Sequence, residues 1–178
     1  MSGFVVWFTG LSGAGKTTVA NIVEAELEQR GHVVDHLDGD IVRTHLSKGL
    51  GFSKEDRDSN IARIAWVASR VARAGAAVIV SAISPHEEAR RHARSLVEPH
   101  APFIEVYVAK PLEECARRDP KGLYRAAFAG EIDDFTGVSA PYETPSNPDV
   151  VIDTTGVSPS ESAAHVLERV AQLTGVQA

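Results

Sequence analysis

The chain has 178 residues, of which 43% are hydrophobic and 24% charged, and its formal net charge is -6. This length suits one well-buried domain and is short for two, and the acidic balance argues against a nucleic-acid-binding protein, which needs a basic face. The apolar runs have strand length, so no membrane span is predicted, and the single cysteine, Cys115, excludes an internal disulfide and is typical of a reducing cytoplasm. Met1-Ser2-Gly3 leads directly into the first apolar run, so we expect no signal peptide.

Five apolar runs alternate with helical stretches and predict the strands of one sheet. They are residues 4–8, 33–37, 77–80, 103–108 and 150–152. Several consist almost entirely of Val and Ile, which indicates strands buried on both faces, as in a parallel sheet. The pattern therefore predicts one α/β domain with a parallel sheet, spanning residues 1–178.

Helix boundaries are also marked along the chain. Ser53, Ser84 and Ser158 are each followed by an acid three residues later, as in a capping box, and the last two also have Pro at the next position. Glycines lie where helix ends favour a left-handed residue: Gly31, Gly75 and Gly175.

The stretch GLSGAGKTT, residues 10–18, follows the first predicted strand and matches the pattern G-x-x-x-x-G-K-[ST]. In such a loop the backbone N–H groups surround phosphates at the positive end of the following helix. Lys16 is expected to reach the β and γ phosphates, and Thr17 to offer its hydroxyl to Mg²⁺. The alternative is a glycine turn with a surface lysine, and the flanking strand and helix favour the nucleotide site.

Acidic residues are expected at the end of the second strand. The third strand ends in Ser-Ala-Ile, residues 81–83, without the magnesium-linked Asp that many P-loop NTPases place there. Asp38 and Asp40 follow the second strand instead, so either could assist Thr17 at Mg²⁺, through water. A carboxylate close to the γ phosphate can also orient an incoming hydroxyl. Lys16, Asp38 and Asp40 are therefore the predicted catalytic residues, with a plain Asp-Gly turn as the alternative.

A group of residues after Asp40 suggests where a phosphate acceptor binds. Arg43 is followed by Phe52, which lies on a glycine-flanked loop where an exposed aromatic ring could stack on a base. Arg57 and Asn60 are three positions apart, so they share a helix face and can point at one ligand. Two guanidinium groups suit a small tetrahedral anion. Each residue alone is more often a solvated charge or a core residue, and the prediction rests on the group.

A second basic group, RRDPKGLY at residues 117–124, precedes a stretch rich in Pro, Gly and Asp at residues 131–149. Long loops in compact domains are often functional. Basic residues on a closing loop neutralise phosphate charge and exclude water. We therefore expect a lid around residues 117–148, called the lid segment below. The alternative is a charged surface helix.

Together these stretches resemble the adenylylsulfate kinase (APS kinase) family. The matching motifs run in order from Gly10 to about Pro148: GLSGAGKTT, LDGD, LGFS, ISP, RDPKGLY, GEI, FTG and YE-x-P. The resemblance implies a P-loop kinase fold, a three-layer α/β/α arrangement with a five-stranded parallel sheet. It also implies transfer of the γ-phosphate of ATP to the 3′-hydroxyl of adenylyl sulfate, which gives PAPS and ADP. Family members are commonly dimers, so a homodimer is implied as well.

Site residues also follow from the resemblance. ATP with Mg²⁺ would contact Gly10, Ser12, Gly13, Ala14, Gly15, Lys16, Thr17, Thr18 and Arg117. Adenylyl sulfate would contact Asp40, Arg43, Phe52, Arg57, Asn60, Ile83, Ser84, Lys121 and Phe135, with the two phenylalanines on either side of its adenine. The chain departs from the family pattern at Ile41, at His86-Glu87 and at Arg125-Ala126.

Two other functions stay open from the residues alone. A kinase for a sugar, an antibiotic or another nucleotide would keep the phosphate loop but would not need two aromatic residues on separate loops. A regulatory protein without catalysis would be expected to lose Asp40 or Lys16, and both are present. A GTPase is disfavoured because the sequence contains no Asn-Lys-x-Asp stretch.

Overall fold

A computed structural model describes residues 3–176, so Met1 and Ser2, on which the expectation about a signal peptide rests, lie outside it. The strands are β1 (Phe4–Thr9), β2 (Val34–Asp38), β3 (Ala77–Ser81), β4 (Phe103–Val108) and β5 (Val150–Ile152). All of them are parallel, in the order β2-β3-β1-β4-β5. The predicted five-stranded parallel sheet is confirmed, with every strand within about one residue of its predicted bounds.

Seven helices connect or follow these strands in the described part of the chain. They are α1 (Lys16–Gln29), α2 (Gly39–His45), α3 (Lys54–Arg73), α4 (Glu87–Val97), α5 (Leu112–Arg118), α6 (Leu123–Phe128) and α7 (Pro159–Thr174). No helix within residues 3–176 is long and apolar enough to cross a membrane.

Two of the three predicted helix starts are confirmed. Ser158 forms a full capping box with Glu161 at the start of α7, and the Ser53 hydroxyl caps α3 by accepting from a backbone N–H. The start predicted at Ser84 is wrong, because α4 begins at Glu87 with His86 as its N-cap. Ser84 has a φ of 48°, a left-handed conformation that turns the chain before the helix begins. The three predicted glycines all have positive φ directly after a helix.

The alternation of side chains along β1 defines the two faces of the sheet. Phe4, Val6 and Phe8 pack among the apolar residues of α1 and α7, whereas Val5 and Trp7 pack among those of α3 and α4. All five side chains are fully buried, and burying each contributes about 1.5–3 kcal/mol for residues of this size. Helices therefore cover both faces, which is the three-layer α/β/α arrangement.

The carboxyl ends of the strands converge on one edge of the sheet. Because β1 is central, the chain crosses from one side of it to the other, and ligands of such sheets bind beside this crossing. The phosphate loop leaves β1 at this edge, Asp38 ends β2, and Ser81 ends β3. Residues 131–149 contain no helix or strand, only an isolated bridge from Thr136 to Ala140, as predicted for a long loop.

Candidate active site

A cavity of about 880 Å³ opens at this edge and is lined by most of the predicted site residues. From the phosphate loop and the two acidic positions these are Ser12, Gly13, Gly15, Lys16, Thr17, Thr18, Asp38 and Asp40. From the predicted acceptor group these are Arg43, Phe52, Arg57, Asn60, Ile83, Ser84, Lys121 and Phe135. The fold therefore brings the two predicted groups together in one cavity.

Three residues predicted to contact ATP do not line this cavity. Gly10 and Ala14 belong to the phosphate loop and contribute backbone groups, and the Ala14 side chain is fully buried. The Arg117 side chain is 68% exposed, and its guanidinium forms an ion pair with Glu114 at 2.7 Å. Its neighbour Arg118 lines the cavity instead, because successive residues of a helix face different directions.

The phosphate loop has the geometry that its sequence predicts. The Lys16 ammonium turns back over the loop and donates to the carbonyl oxygens of Gly10 at 3.0 Å and Leu11 at 2.8 Å. Gly15 has a φ of 104° directly before α1, a conformation that residues with a Cβ rarely adopt. The loop thus has the backbone conformation of a phosphate site, with the buried Lys16 ammonium held against its carbonyl oxygens.

Burial sets the charge behaviour of Lys16. It lowers the pKa of this ammonium from its ordinary value to about 8, although Asp38 and Asp40 favour the charged form. The attraction of these two carboxylates offsets only part of the cost of burying the ammonium. An anion bound beside Lys16 would stabilise its charged form further. This site is therefore suited to phosphate.

Thr17, Asp38 and Ser81 form one polar group beside the loop. The Thr17 hydroxyl donates to Asp38 Oδ2 at 2.9 Å, and the Ser81 hydroxyl donates to the same oxygen at 3.0 Å. Burial alone would raise the pKa of Asp38, but these bonds and backbone N–H donors lower it below its ordinary value. Asp38 is thus held as a carboxylate next to Thr17.

These oxygens fit Mg²⁺ bound together with phosphates. Mg²⁺ usually takes one or two protein oxygens and completes its shell with phosphate and water. Within residues 3–176 there is no group of three or more His, Cys, Asp or Glu side chains that could hold a metal ion by themselves. The hydroxyl of Thr17 and the carboxylate of Asp38 are the two oxygens that would hold a nucleotide-bound ion.

Asp40 and Lys121 contact each other across the mouth of the cavity. The Lys121 ammonium donates to Asp40 Oδ2, and the two side chains are 60% and 77% exposed respectively. Asp40 follows β2 and Lys121 belongs to the lid segment, so this ion pair joins the lid segment to the phosphate side of the cleft. Because both groups are exposed, solvent screens the pair, and a ligand can displace it at small cost.

Each nitrogen of the Arg57 guanidinium donates one hydrogen bond to the protein. Its Nε donates to the carbonyl oxygen of Phe52 at 2.7 Å, and one terminal nitrogen donates to Thr136 Oγ1 at 2.7 Å. The other terminal nitrogen donates to the carbonyl oxygen of Asp134. Arg57 therefore connects the Phe52 loop with the lid segment, a role that the sequence did not predict.

Arg43 is held in a similar way, through a bond to the carbonyl oxygen of Gly51 at 3.0 Å. Burial lowers the pKa of both Arg43 and Arg57, and the proximity of Arg43 lowers that of Arg57 further. Two partly buried like charges repel each other, and an anion between them relieves this repulsion. The predicted preference for an anionic ligand is consistent with this arrangement.

Asn60 carries a buried polar atom that lacks a partner. Its side chain is 7% exposed and lines the cavity, and its Oδ1 has no hydrogen-bond partner among the described residues. Leaving such an atom unpaired costs about 1–3 kcal/mol. A ligand N–H or O–H at this point would remove the cost.

The two phenylalanines lie in different environments. Phe52 is 56% exposed, and the Arg43 guanidinium lies 4.4 Å from its ring centre. Phe135 is half-buried, packs against the core, and meets the ring of Tyr124 edge-to-face at 5.0 Å. Phe52 can therefore approach a ligand freely, whereas Phe135 forms part of a fixed wall.

Ser84 is part of a rigid turn after β3. Its side chain accepts from the Trp7 indole at 3.0 Å, and its carbonyl oxygen accepts from Arg90 at 2.6 Å. The Thr9 hydroxyl donates to the carbonyl oxygen of Ile83 at 2.6 Å. This turn is therefore fixed by buried polar groups of β1 and α4.

The same groups hold one end of the lid segment. The hydroxyls of Tyr142 and Thr9 are 2.9 Å apart, and the Glu143 N–H donates to the carbonyl oxygen of Pro85 at 2.8 Å. Arg90 also donates to the carbonyl oxygen of Glu143 at 2.7 Å. Residues 142–143 are thus attached to the sheet and to the turn after it.

Sequence reasoning missed several residues of the cavity: Ser81, Arg118, Tyr124, Asp134 and Thr136. The position of Ser81 is a signal in the sequence, because it ends the third strand, where many P-loop NTPases have an Asp. Tyr124 and Thr136 stand inside RRDPKGLY and FTG, stretches that predict the lid segment and the family but give these two side chains no role. Nothing local in the sequence indicates that Asp134 offers a carbonyl oxygen to Arg57.

Comparison with known proteins gives the same family as the motifs. The family model described as adenylylsulphate kinase matches residues 2–153. The adenylyl-sulfate kinase of Halothermothrix orenii is 54% identical over 166 residues, which cover 93% of this chain and 88% of that protein. The structure of the Mycobacterium tuberculosis APS kinase CysC in complex with AMPPNP and APS has a TM-score of 0.92 and 45% identity, covering 95% of this chain and 98% of that one.

A longer relative is also similar. The "Probable bifunctional SAT/APS kinase 2" of Sorangium cellulosum is 54% identical over 173 residues, and the match covers 97% of this chain but 29% of that protein. The resemblance and the P-loop fold predicted from the sequence are confirmed by these matches and by the parallel sheet. The chain belongs to the adenylylsulfate kinase family.

Proposed function

We propose that this chain transfers the γ-phosphate of ATP to the 3′-hydroxyl of adenylyl sulfate and releases PAPS and ADP. The observation that carries the proposal is the single cavity that joins a phosphate loop to a second set of cationic and aromatic residues. A simple NTPase needs only the first of these. A second nucleotide that bears a phosphosulfate group matches the chemistry of the second.

On the ATP side, the loop amides and Lys16 hold the β and γ phosphates. Lys16 is close enough to the loop to follow the γ phosphate as negative charge develops during transfer. Thr17 and Asp38 would hold Mg²⁺, and the ion would neutralise phosphate charge during transfer. Arg118 lines the cavity at this side and takes the place that the sequence predicted for Arg117.

On the acceptor side, Asp40 orients the 3′-hydroxyl and accepts its proton as the bond to phosphorus forms. Lys121 moves from Asp40 to the anionic groups of the ligand when the acceptor enters. Arg43 and Arg57 favour the phosphosulfate, and a ligand donor satisfies the oxygen of Asn60. Phe52 and Phe135 contact the adenine from the two sides of the cleft.

Three further features belong to the same proposal. The lid segment closes over the cleft and excludes water from the γ phosphate, which favours transfer over hydrolysis. The chain acts as a homodimer, as the family resemblance implies. It works in a reducing cytoplasm, since its one cysteine, Cys115, is a buried thiol.

The test is an ADP-release assay with purified protein, Mg-ATP and a panel of acceptors. We expect turnover with adenylyl sulfate, with PAPS identified as the product, and little with sugars or antibiotics. The matched control is 3′-deoxy-adenylyl sulfate, which keeps every recognised group except the reacting hydroxyl, so it should inhibit without forming product. Efficient turnover of a sugar together with none of adenylyl sulfate would overturn the proposal.

A further inference from the structure

Tyr124 stands between the two halves of the cavity. It is 2% exposed and lies in the first turn of α6. Asp119 fixes this turn, because its two carboxylate oxygens accept from the backbone N–H groups of Tyr124 and Arg125, each at 3.0 Å. The side chain of Tyr124 therefore has a well-defined position.

The hydroxyl of Tyr124 reaches the phosphate loop. It donates to the carbonyl oxygen of Ser12 at 2.8 Å, across 112 positions of sequence. Burial raises the pKa of Tyr124 far above its ordinary value, so the hydroxyl keeps its proton and stays a donor. One hydrogen bond from α6 thus holds the loop whose amides would surround the phosphates of ATP.

The ring of Tyr124 contacts Phe135, which lines the part of the cavity where the acceptor is expected to bind. It meets Phe135 edge-to-face, with 5.0 Å between ring centres and 80° between planes. Next to it, Gly137 is so close to the loop that a Cβ there would lie 3.1 Å from the side chains of Leu11 and Leu112. The segment that contains Phe135 and Gly137 therefore packs directly against the phosphate loop.

We infer that Tyr124 is a positioning residue shared by the two substrate sites, with its hydroxyl fixing the phosphate loop for ATP and its ring fixing Phe135 for the acceptor. The inference rests on the proposed function for the identity of the acceptor. The part that concerns the Tyr124 hydroxyl does not rest on it, because that part concerns nucleotide binding alone.

Two variants test the role of the hydroxyl and the role of the ring separately. Tyr124→Phe removes only the hydroxyl, so ADP binding measured by calorimetry without acceptor should weaken about 2- to 12-fold, the effect of one hydrogen bond. The KM for adenylyl sulfate at saturating Mg-ATP should stay within about twofold of the wild type, because the ring remains. Tyr124→Leu also removes the aromatic contact, so that KM should rise about 2- to 12-fold as well.

Phe128→Ala is the matched control, since Phe128 lies on the same helix but is exposed. It should leave both values at the wild-type level. The inference is overturned if Tyr124→Phe leaves ADP binding unchanged, or if it weakens both substrates by the same factor. It is also overturned if Tyr124→Leu, folded by its melting temperature, keeps the wild-type KM for the acceptor. Absence of turnover in the wild type with normal ADP binding would instead contradict the proposed function.

Discussion

Replacing Phe52 and Phe135 separately by alanine should distinguish a ligand-binding ring from a structural one. Phe52 is 56% exposed, and its ring lies beside the guanidinium groups of Arg43 and Arg57, so its loss should lower the free energy of unfolding by about 0.5–1 kcal/mol. For a chain of this size that corresponds to a fall in melting temperature of about 1–4 °C. Stacking on a base contributes about 1–3 kcal/mol, so the KM for adenylyl sulfate should rise about 5- to 150-fold.

Phe135→Ala should behave differently, because Phe135 packs against the core and against Tyr124. Loss of its partly buried area and of the aromatic contact should lower the free energy of unfolding by about 2–3 kcal/mol. The melting temperature should therefore fall by about 4–12 °C. The KM for adenylyl sulfate should rise in the same range as for Phe52→Ala.

The assay measures the KM for ATP, the KM for adenylyl sulfate and the melting temperature of each variant. The KM for ATP should change little in Phe52→Ala, since the phosphates are held by the loop. A Phe52→Ala protein with wild-type stability and an unchanged KM for adenylyl sulfate would remove Phe52 from the site. A fall in melting temperature as large as that of Phe135→Ala would show that Phe52 is a structural residue rather than a ligand-binding one.

Further predictions concern the groups around the phosphates. Asp40→Asn keeps the shape and removes the charge, so turnover should fall about 10²-fold or more while ADP binding survives; turnover near that of the wild type would show that Asp40 is not the base. Lys16→Ala should suppress turnover strongly and leave a protein that is folded by circular dichroism. Unfolding would contradict the interpretation that Lys16 binds phosphate rather than supporting the core. Because the pKa of Lys16 is lowered to about 8, its ammonium is charged below that pH, and kcat/KM for ATP should decline as pH rises through about 8. In Lys16→Arg the decline should vanish, since a guanidinium keeps its charge, and an identical decline in that variant would assign it to another group.

The fold was predictable because its strongest signals are local. Runs of Val and Ile buried on both faces mark the strands, and Ser158 with Glu161 marks the start of α7. The start at Ser84 failed because a buried indole and a buried guanidinium hold that residue in a left-handed turn. Such contacts come from β1 and α4, and nothing near Ser84 in the sequence encodes them.

The site was predictable as a set of residues but not as a set of contacts. Helical spacing predicted Arg57 and the family resemblance predicted Lys121, yet Arg57 contacts Asp134 and Thr136 and Lys121 contacts Asp40, all of them far along the chain. Helical phase explains why Arg118 rather than Arg117 lines the cavity, since a difference of one residue turns a side chain by about 100°. Pair contacts across such distances depend on the packing of whole elements.

The attachment of Tyr142 and Glu143 to β1 and to the turn after β3 determines how the cleft can open. With that end fixed, we expect opening to involve the earlier residues of the lid segment, which Lys121 joins to Asp40. Under the proposed function, release of the products then requires Lys121 to leave their anionic groups and Arg57 to separate from Thr136 and Asp134, while the core stays intact. We therefore expect the rate of product release to depend on a few polar contacts across the cleft, which can change in evolution without a change in the buried core.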